Sequence, residues 1–218
     1  MINIINRRDN SSNISAADSN VFRYWDPKFM IKQFDKLAEM GIKNIKIADE
    51  LYVMNPNHFM ELSKLLIDRD YGFNLWTYSR VDTCKPQYLE ILKKSGINFI
   101  ALGIENPNQS LRREFIKGHF EEVKIVDLMR DIRNAGINII ANYIFGLPPD
   151  THETMKETLN FAMSNLTEAF NLYPAQALPG SPLYLQAKKE GWNLPDRYAG
   201  YSMLSYWTQN TSNANLKA

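Results

Sequence analysis

Four stretches of the chain repeat one order of residues: a glycine, then an apolar run, then polar residues where the run ends. These stretches cover residues 41–50, 72–82, 96–106 and 136–148. Apolar runs of this length, each preceded by a segment with helical spacing of apolar residues, predict strands that alternate with helices. Such βα units wind right-handed into a parallel sheet or barrel, so we predict an α/β fold.

A fifth run at residues 169–173 and a short apolar group at residues 2–5 extend the pattern. The sequence therefore predicts five clear strands and a first strand, at the N-terminus, that is incomplete or missing. This number is too small for a closed eight-stranded barrel of about 250 residues. We predict an open, partial (βα)6 barrel of the TIM type over residues 1–191. The pattern dissolves from Trp192, so we assign residues 192–218 to a C-terminal tail that begins a truncated extension.

Capping residues and prolines predict where several helices begin. Three helix starts are marked by Asp26 before Pro27, by Asn55 before Pro56, and by Pro86. Proline fits the first turn of a helix, and an Asp or Asn side chain accepts the free backbone N–H groups of that turn. These signals place helices directly before or after the predicted strands, as a βα chain requires.

Two later helices are also predicted. One runs from about His119 to Ala135, and the other follows Asp150, which forms a capping-box pattern with Glu153. We expect three apolar residues to mark the buried side of the first of them: Val126, Met129 and Ile132.

Composition narrows the function classes. The chain has 218 residues, 44% of them hydrophobic, which suffices for a single core, and its formal net charge is +1. This balance argues against a nucleic-acid or anionic membrane surface as partner. No apolar run approaches the roughly 20 residues of a membrane span, and no signal peptide is visible, so we predict a cytoplasmic protein. Cys84 is the only cysteine, which excludes an internal disulfide and a cysteine-rich metal site built from this chain alone.

Polar residues at the strand ends are the candidate site, since parallel α/β folds bind ligands at the carboxyl ends of their strands. Asp49 and Glu50 are adjacent and suit either a ligand site or a helix cap. Arg80 ends its strand beside Asp82, and a local ion pair explains both as well as an anion site does. Glu105 follows an apolar run that needs burial on both faces, so we favour a ligand role for its carboxylate.

Other signals are weak or missing. The chain contains neither a G-x-G-x-x-G nor a G-x-x-x-x-G-K-[ST] phosphate loop. His58, His119 and His152 lie on different units without metal-ligand spacing, and Cys84 has no identifiable triad partner. We therefore predict no metal site within this chain.

Five segments, each at a strand end and in order, resemble radical S-adenosylmethionine (SAM) enzymes, in particular the branch that often carries an upstream cobalamin-binding domain. The segments are residues 47–52, 78–82, 102–106 with Leu111 and 117–118, 143–148, and 178–184. The resemblance spans essentially the whole chain. It implies an open (βα)6 barrel whose C-x3-C-x2-C loop holds a [4Fe-4S] cluster. The cluster reductively cleaves SAM to start radical chemistry, or methyl transfer runs through cobalamin.

The resemblance also implies roles for individual residues. Asp49 or Glu50 would meet the amino group of SAM, and Arg80 its carboxylate. Glu105 would bind the ribose hydroxyls. The resemblance implies four further cofactor-binding residues at the ends of the later strands: Asn106, Asn142, Ile144 and Gly146. The backbone around Ile144 to Gly146 would line the adenine. It further implies a small-molecule substrate and, for the intact enzyme, a reductant such as a ferredoxin or flavodoxin.

The chain departs from the family at the cluster loop. Residues 1–5 resemble the segment just after the third cysteine, and Cys84 alone cannot replace three thiolates. Pro149 also stands where the family has a second glycine. We therefore interpret the chain as a fragment of a longer enzyme and predict that, by itself, it binds no iron and does not cleave SAM.

Two alternatives stay open from the sequence. The first is a lyase or aldolase on the same scaffold that uses Glu105 and Arg80, although no lysine for a Schiff base stands out at a strand end. The second is a non-catalytic barrel that serves as a binding module. The sequence identifies neither the substrate nor whether cobalamin is used.

Overall fold

The computed structural model of the chain describes residues 24–49, 51–108, 111–112 and 124–195. Within these ranges five parallel strands alternate with helices. The strands are β1 (Asn44–Lys46), β2 (Asn74–Arg80), β3 (Ile97–Glu105), β4 (Asn138–Phe145) and β5 (Ala169–Pro174). The helices are α1 (Pro27–Glu39), α2 (Pro56–Arg69), α3 (Pro86–Lys94), α4 (Ile125–Asn134), α5 (His152–Ser164) and α6 (Pro182–Lys189), with a 3₁₀ turn at Tyr52–Met54.

The strands lie in the order β1-β2-β3-β4-β5, and every neighbouring pair is parallel. Five parallel strands in chain order, each connected to the next through a helix, form one half of a barrel. This confirms the predicted open, partial (βα) barrel with a parallel sheet. The predicted N-terminal strand at residues 2–5 lies outside the described residues.

The helix starts follow the predicted caps. The side chain of Asp26 accepts a hydrogen bond from the N–H of Lys28 at 2.6 Å, and Asn55 accepts one from the N–H of Asn57 at 3.1 Å. α3 begins at Pro86, also as predicted. Capping side chains and prolines act within one turn, which explains why the sequence located these starts correctly.

The prediction for the longer helix was wrong in two respects. α4 begins at Ile125, with Lys124 in extended conformation before it, rather than near His119. Val126 is 48% exposed, whereas the buried stripe consists of Ile125, Leu128, Met129 and Ile132. Once the helix begins at Ile125, the spacing of three and four residues selects that stripe and turns Val126 towards solvent.

The capping box before α5 was also assigned to the wrong residues. Thr151 caps the helix, its hydroxyl accepts the N–H of Thr154, and the hydroxyl of Thr154 accepts the N–H of Thr151. Asp150 lies one residue earlier and is buried. Its carboxylate contacts Thr154 of α5 and also residues outside that helix.

The sheet has one face packed against helices and one concave face. Along β2 the burial alternates strictly, with Trp76, Tyr78 and Arg80 half-buried and the residues between them buried. These three side chains line cavities on the concave side. Strand periodicity of two therefore separates a structural face from a ligand-accessible face.

Asparagine side chains join the amino ends of the first strands. Nδ2 of Asn74 donates to Oδ1 of Asn44 at 2.9 Å, and Nδ2 of Asn98 donates to Oδ1 of Asn74 at 3.0 Å. Nζ of Lys93 donates to Oδ1 of Asn98 and to the carbonyl of Gly136, each at 2.6 Å. We call Asn44, Asn74 and Asn98 the asparagine ladder. It satisfies polar side chains at the end of the sheet opposite to the predicted site.

Candidate ligand site at the carboxyl ends of the strands

A cavity of about 770 Å³ lies at the carboxyl ends of the strands. Four of the eight site residues predicted from the sequence line it: Arg80, Glu105, Asn142 and Ile144. They come from β2, β3 and β4, which are neighbours in the sheet. Parallel strands align their carboxyl ends at one edge, which is why residues far apart in sequence share this cavity.

Glu105 occupies a conformation that few side chains adopt. Its φ is 66°, in the left-handed region, where a residue other than glycine is strained by about 1–3 kcal/mol. Gly103, two residues earlier on the same strand face, makes room for the carboxylate. A Cβ atom on Gly103 would lie 2.6 Å from Oε1 of Glu105. The backbone and the missing side chain together fix where this carboxylate points.

The carboxylate of Glu105 is poorly solvated. Burial raises its pKa from 4.5 to about 7, and the positive charge of Arg80 acts in the opposite direction. Among the described residues, none donates a hydrogen bond to this carboxylate. A desolvated carboxylate without donors is the state expected for a group that accepts hydrogen bonds from a ligand.

Arg80 forms the local ion pair that the sequence suggested. Its Nε and Nη2 atoms donate to the two carboxylate oxygens of Asp82 at 2.9 and 2.5 Å. The pair is bidentate, which fixes the plane of the guanidinium. Because Arg80 also lines the cavity, the ion pair orients the arginine there without removing it from the cavity wall.

The end of β4 adds an amide to the same wall. Oδ1 of Asn142 accepts a hydrogen bond from Nδ2 of Asn171 on β5 at 2.9 Å. This bond uses one of the two lone pairs of Oδ1 and fixes the orientation of the amide, whose two N–H donors stay available for other partners. The side chain of Ile144 follows on the same face of β4 and provides an apolar surface.

Of the other predicted site residues, the three that the structure describes do not line the cavity: Asp49, Asn106 and Gly146. Asp49 is exposed and its Oδ1 accepts the N–H of Leu51 at 3.0 Å, although Ala48 and Leu51 on either side do line it. Glu50 lies outside the described residues. Asn106 and Gly146 are buried just behind the strand ends.

Asp150 links those two positions. Its carboxylate accepts the N–H of Leu147 and the hydroxyl of Thr154, each at 2.9 Å, and Nδ2 of Asn106 at 3.4 Å. Burial raises the pKa of Asp150, while these donors lower it. The end of β3 is thereby tied to the turn after β4. These contacts hold Asn106 and the turn at Gly146 next to the cavity wall.

Sequence reasoning missed several polar or aromatic residues of the cavity. Lys46, Tyr78 and Tyr173 line it, as does Gln176, whose side-chain nitrogen is buried without a hydrogen-bond partner among the described residues. For Tyr78 the signal was available, because strand alternation places it on the same face as Arg80. Gln176 follows β5 in a loop, where no periodicity indicates direction.

The residues of this chain do not fit an iron–sulfur cluster. Cys84 is the only cysteine, it is buried, and burial raises the pKa of its thiol to about 12. Within the described ranges, no group of three or more His, Cys, Asp or Glu side chains could hold a metal ion. In this family a [4Fe-4S] cluster needs thiolates from three cysteines, so this chain cannot hold the cluster by itself.

The described helices are also all too short or too polar to cross a membrane. Fold and cavity together define an open (βα) barrel with a cavity at the carboxyl ends of its strands. Comparison with known proteins makes the class specific. Residues 11–162 match the model of the radical SAM superfamily, and the chain belongs to that superfamily.

Individual relatives agree with the family. The chain is 26% identical over 171 residues to the hopanoid C-2 methylase of Rhodopseudomonas palustris (strain TIE-1), covering 76% of this chain and 32% of the relative. It is 25% identical to the bacteriochlorophyllide d C-8(2)-methyltransferase of Chlorobaculum tepidum over 193 residues, covering 84% of this chain and 42% of that protein. The chain thus spans about a third to two fifths of the length of these relatives.

A solved structure shows the same fold. The radical SAM methyltransferase TsrM from Kitasatospora setae, with cobalamin and a [4Fe-4S] cluster bound, superimposes with a TM-score of 0.68 at 17% identity. The match covers 76% of this chain and 34% of TsrM. The resemblance drawn from the sequence is therefore confirmed, and the lyase or aldolase alternative is not favoured.

Proposed function

We propose that this chain is the SAM-binding barrel of a radical SAM enzyme and that the cavity at the carboxyl ends of the strands receives the nucleoside of SAM. The observation that carries the proposal is the convergence of Arg80, Glu105, Asn142 and Ile144 on one cavity of about 770 Å³. Family membership supplies the ligand class, and the cavity supplies the place for it.

Each residue has a role that its chemistry suits. The Glu105 carboxylate accepts hydrogen bonds from the ribose hydroxyls, which are two adjacent donors that one carboxylate can pair with. Arg80, held in plane by Asp82, faces the carboxylate of SAM. The apolar side chain of Ile144 and the backbone towards Gly146 lie along the adenine. Asp49 or Glu50 is assigned to the amino group.

In the intact enzyme, a [4Fe-4S] cluster would supply the electron for reductive cleavage of SAM, and it would need cysteines that this chain does not contain. A reductant such as a ferredoxin or flavodoxin delivers that electron, and cobalamin is a candidate second cofactor for methyl transfer. The substrate is a small molecule and the setting is the cytoplasm. The contribution of this chain is to bind and orient the nucleoside, and the isolated chain neither binds iron nor cleaves SAM.

Equilibrium dialysis of the chain with SAM and with adenosine tests the nucleoside site. We expect both to bind, and we expect Glu105→Gln to weaken adenosine about tenfold, the usual effect of removing a charged acceptor of hydrogen bonds. Glu90→Gln is the matched control, because Glu90 is exposed on α3 and its salt bridge within the described part of the chain is with Lys94. It should leave adenosine binding unchanged.

A nucleoside without ribose hydroxyls distinguishes loss of the ribose contact from a general distortion of the cavity in Glu105→Gln. With 2′,3′-dideoxyadenosine the hydroxyls are gone, so Glu105→Gln should have no further effect on affinity. If the substitution weakens both nucleosides equally, Glu105 does not bind the ribose. Failure of wild-type protein to bind SAM or adenosine at all contradicts the proposed function itself.

A further inference from the structure

A second pocket of about 340 Å³ lies lower on the concave face, towards the amino ends of the strands. Its walls are formed by Trp76, Phe99 and Ile140, and its end towards the asparagine ladder by Asn44 and Asn74. Those two asparagines already hydrogen-bond to each other. The pocket is therefore mainly aromatic and apolar, with a floor of paired amides.

Lys46 stands where this pocket meets the large cavity, because it lines both. Its Nζ lies 4.4 Å from the ring centroid of Trp76 and 5.0 Å from that of Tyr78. These cation–π contacts hold the Lys46 side chain, which is exposed to solvent, against the concave face. Among the described residues, no carboxylate forms a salt bridge or hydrogen bond with it.

The charge of the pocket is accordingly one-sided. Lys46 is the one charged side chain among the described residues that line it. A cation beside an apolar wall attracts an anion more strongly than a cation surrounded by water, because the local dielectric is lower. The rings of Trp76 and Tyr78, with centroids 6.0 Å apart, offer a surface on which a flat apolar body can lie.

We propose that Lys46 determines substrate specificity: it binds a carboxylate of a small-molecule substrate whose flat apolar body packs on Trp76 and Phe99. This inference rests on the proposed function, since it places the substrate directly below the nucleoside in the same half-barrel. Lys46 at the junction of the two spaces fixes the depth at which the acidic end of the substrate is held.

Two isosteric fluorescent probes test the charge preference, namely 1-pyrenecarboxylate and the neutral 1-pyrenecarboxamide. Pyrene accepts energy from tryptophan, so binding is read from quenched tryptophan emission and sensitised pyrene emission. Because the chain has four tryptophans, comparison with Trp76→Leu identifies the part of the signal that comes from Trp76. We expect wild-type protein to bind the carboxylate about tenfold more tightly than the amide. The preference should shrink as salt is added, because part of the lysine is exposed.

Substitutions locate the effect. Lys46→Met should abolish the tenfold preference by weakening only the carboxylate probe, and Lys46→Arg should retain most of it. Lys64→Met, which removes an exposed lysine on α2, is the matched control and should change neither affinity. Trp76→Leu should weaken both probes, because it removes the ring surface.

Several results would overturn the inference. They are equal affinity of the wild-type protein for both probes, no binding of either, or a loss in Lys64→Met that matches the loss in Lys46→Met. If Lys46→Met does not fold, the probe preference of Lys46→Arg and its salt dependence in the wild-type protein still test whether a positive charge at residue 46 binds the carboxylate. The wild-type adenosine titration reports separately on the nucleoside site. A retained probe preference without adenosine binding therefore rejects the proposed function and not the anion site.

Discussion

The asparagine ladder at the amino ends of the strands and Glu105 at the carboxyl ends differ in whether their polar atoms have hydrogen-bond partners. At the amino ends, Asn44, Asn74 and Asn98 hydrogen-bond to one another, and Lys93 closes the series. At the carboxyl ends, Glu105 is desolvated without a hydrogen-bond donor among the described residues. The ladder is satisfied within the fold, whereas Glu105 differs even from its neighbours Arg80 and Asn142, which have hydrogen-bond partners.

We therefore expect substitutions in the asparagine ladder to change mainly stability and substitutions around Glu105 to change mainly ligand binding. A buried polar group that finds partners inside the fold stabilises it, whereas one without partners destabilises it unless a ligand supplies them. The two glycines that matter most show the same division. Gly96, before β3, avoids a clash with backbone, while Gly103, on β3, avoids a clash with the Glu105 carboxylate.

The largest expected effect on stability is at the amino end, in Gly96→Ala. The φ of Gly96 is +96°, and an added Cβ would lie 2.9 Å from the carbonyl oxygen of Phe73, which is backbone and cannot turn away. We expect the free energy of unfolding to fall by about 3 kcal/mol, as for other strained and overpacked substitutions. Urea denaturation measures this change.

Gly41→Ala is the control for backbone strain alone. Its φ is +74°, but nothing lies within 4 Å of the added Cβ, so we expect a loss of only about 1 kcal/mol. Equal losses in the two variants would mean that the close approach to Phe73 has no energetic consequence.

The next largest effect is a pH dependence that arises at the carboxyl end. The pKa of Glu105 rises from 4.5 to about 7 on folding, so the folded chain holds this proton more tightly than the unfolded chain. The resulting stabilisation is fully present below pH 4.5 and is lost as the pH rises through about 7. Allowing for solvent in the cavity, we expect a fall of about 2 kcal/mol over this window.

Glu105→Gln should flatten the stability curve between pH 4.5 and 7. A residual slope at lower pH is expected, because burial also raises the pKa of Asp150. Adenosine binding to the wild-type protein should improve as the pH rises through about 7, since the ionised carboxylate accepts two hydrogen bonds. An unchanged slope in Glu105→Gln would show that other groups cause the pH dependence.

A smaller loss of stability is expected in Lys93→Met. The substitution removes the 2.6 Å hydrogen bonds to Asn98 and to the carbonyl of Gly136, which connect the end of α3 with the starts of β3 and β4. We expect about 1 kcal/mol of destabilisation in thermal or urea unfolding, with adenosine affinity unchanged. Lys94→Met removes an exposed pair with Glu90, which surface exposure makes weak, and should cost less. Equal effects in both lysine variants would contradict a role for Lys93 at this end of the sheet.

The smallest effect on stability belongs to Gly103→Ala, although its effect on binding is clear. The added Cβ displaces a carboxylate oxygen, the movable end of a side chain, so the unfolding free energy should change by less than about 1 kcal/mol. Adenosine affinity should fall about fivefold, because Glu105 no longer points at the ribose. A stable variant with unchanged adenosine affinity would contradict a role for Gly103 in positioning the Glu105 carboxylate.

Much of the fold could be predicted because its signals are local. The caps at Asp26 and Asn55, the glycines that end helices and the apolar runs each act within a few residues, so the sequence located the five strands. Glu105 was identified for the same reason. Its place after a run buried on both faces is visible in one short segment of the chain.

The tertiary structure alone decided the directions and partners of side chains. Val126 and Leu128 differ by two positions in one apolar segment, and the start of α4 decided which is buried. Asp150 suited a helix cap, yet its contact with Asn106, 44 residues away, ties two strand ends together. The Lys46 side chain is positioned by the rings of Trp76 and Tyr78 on the neighbouring strand. Contacts across such separations depend on strand register, which local patterns do not determine.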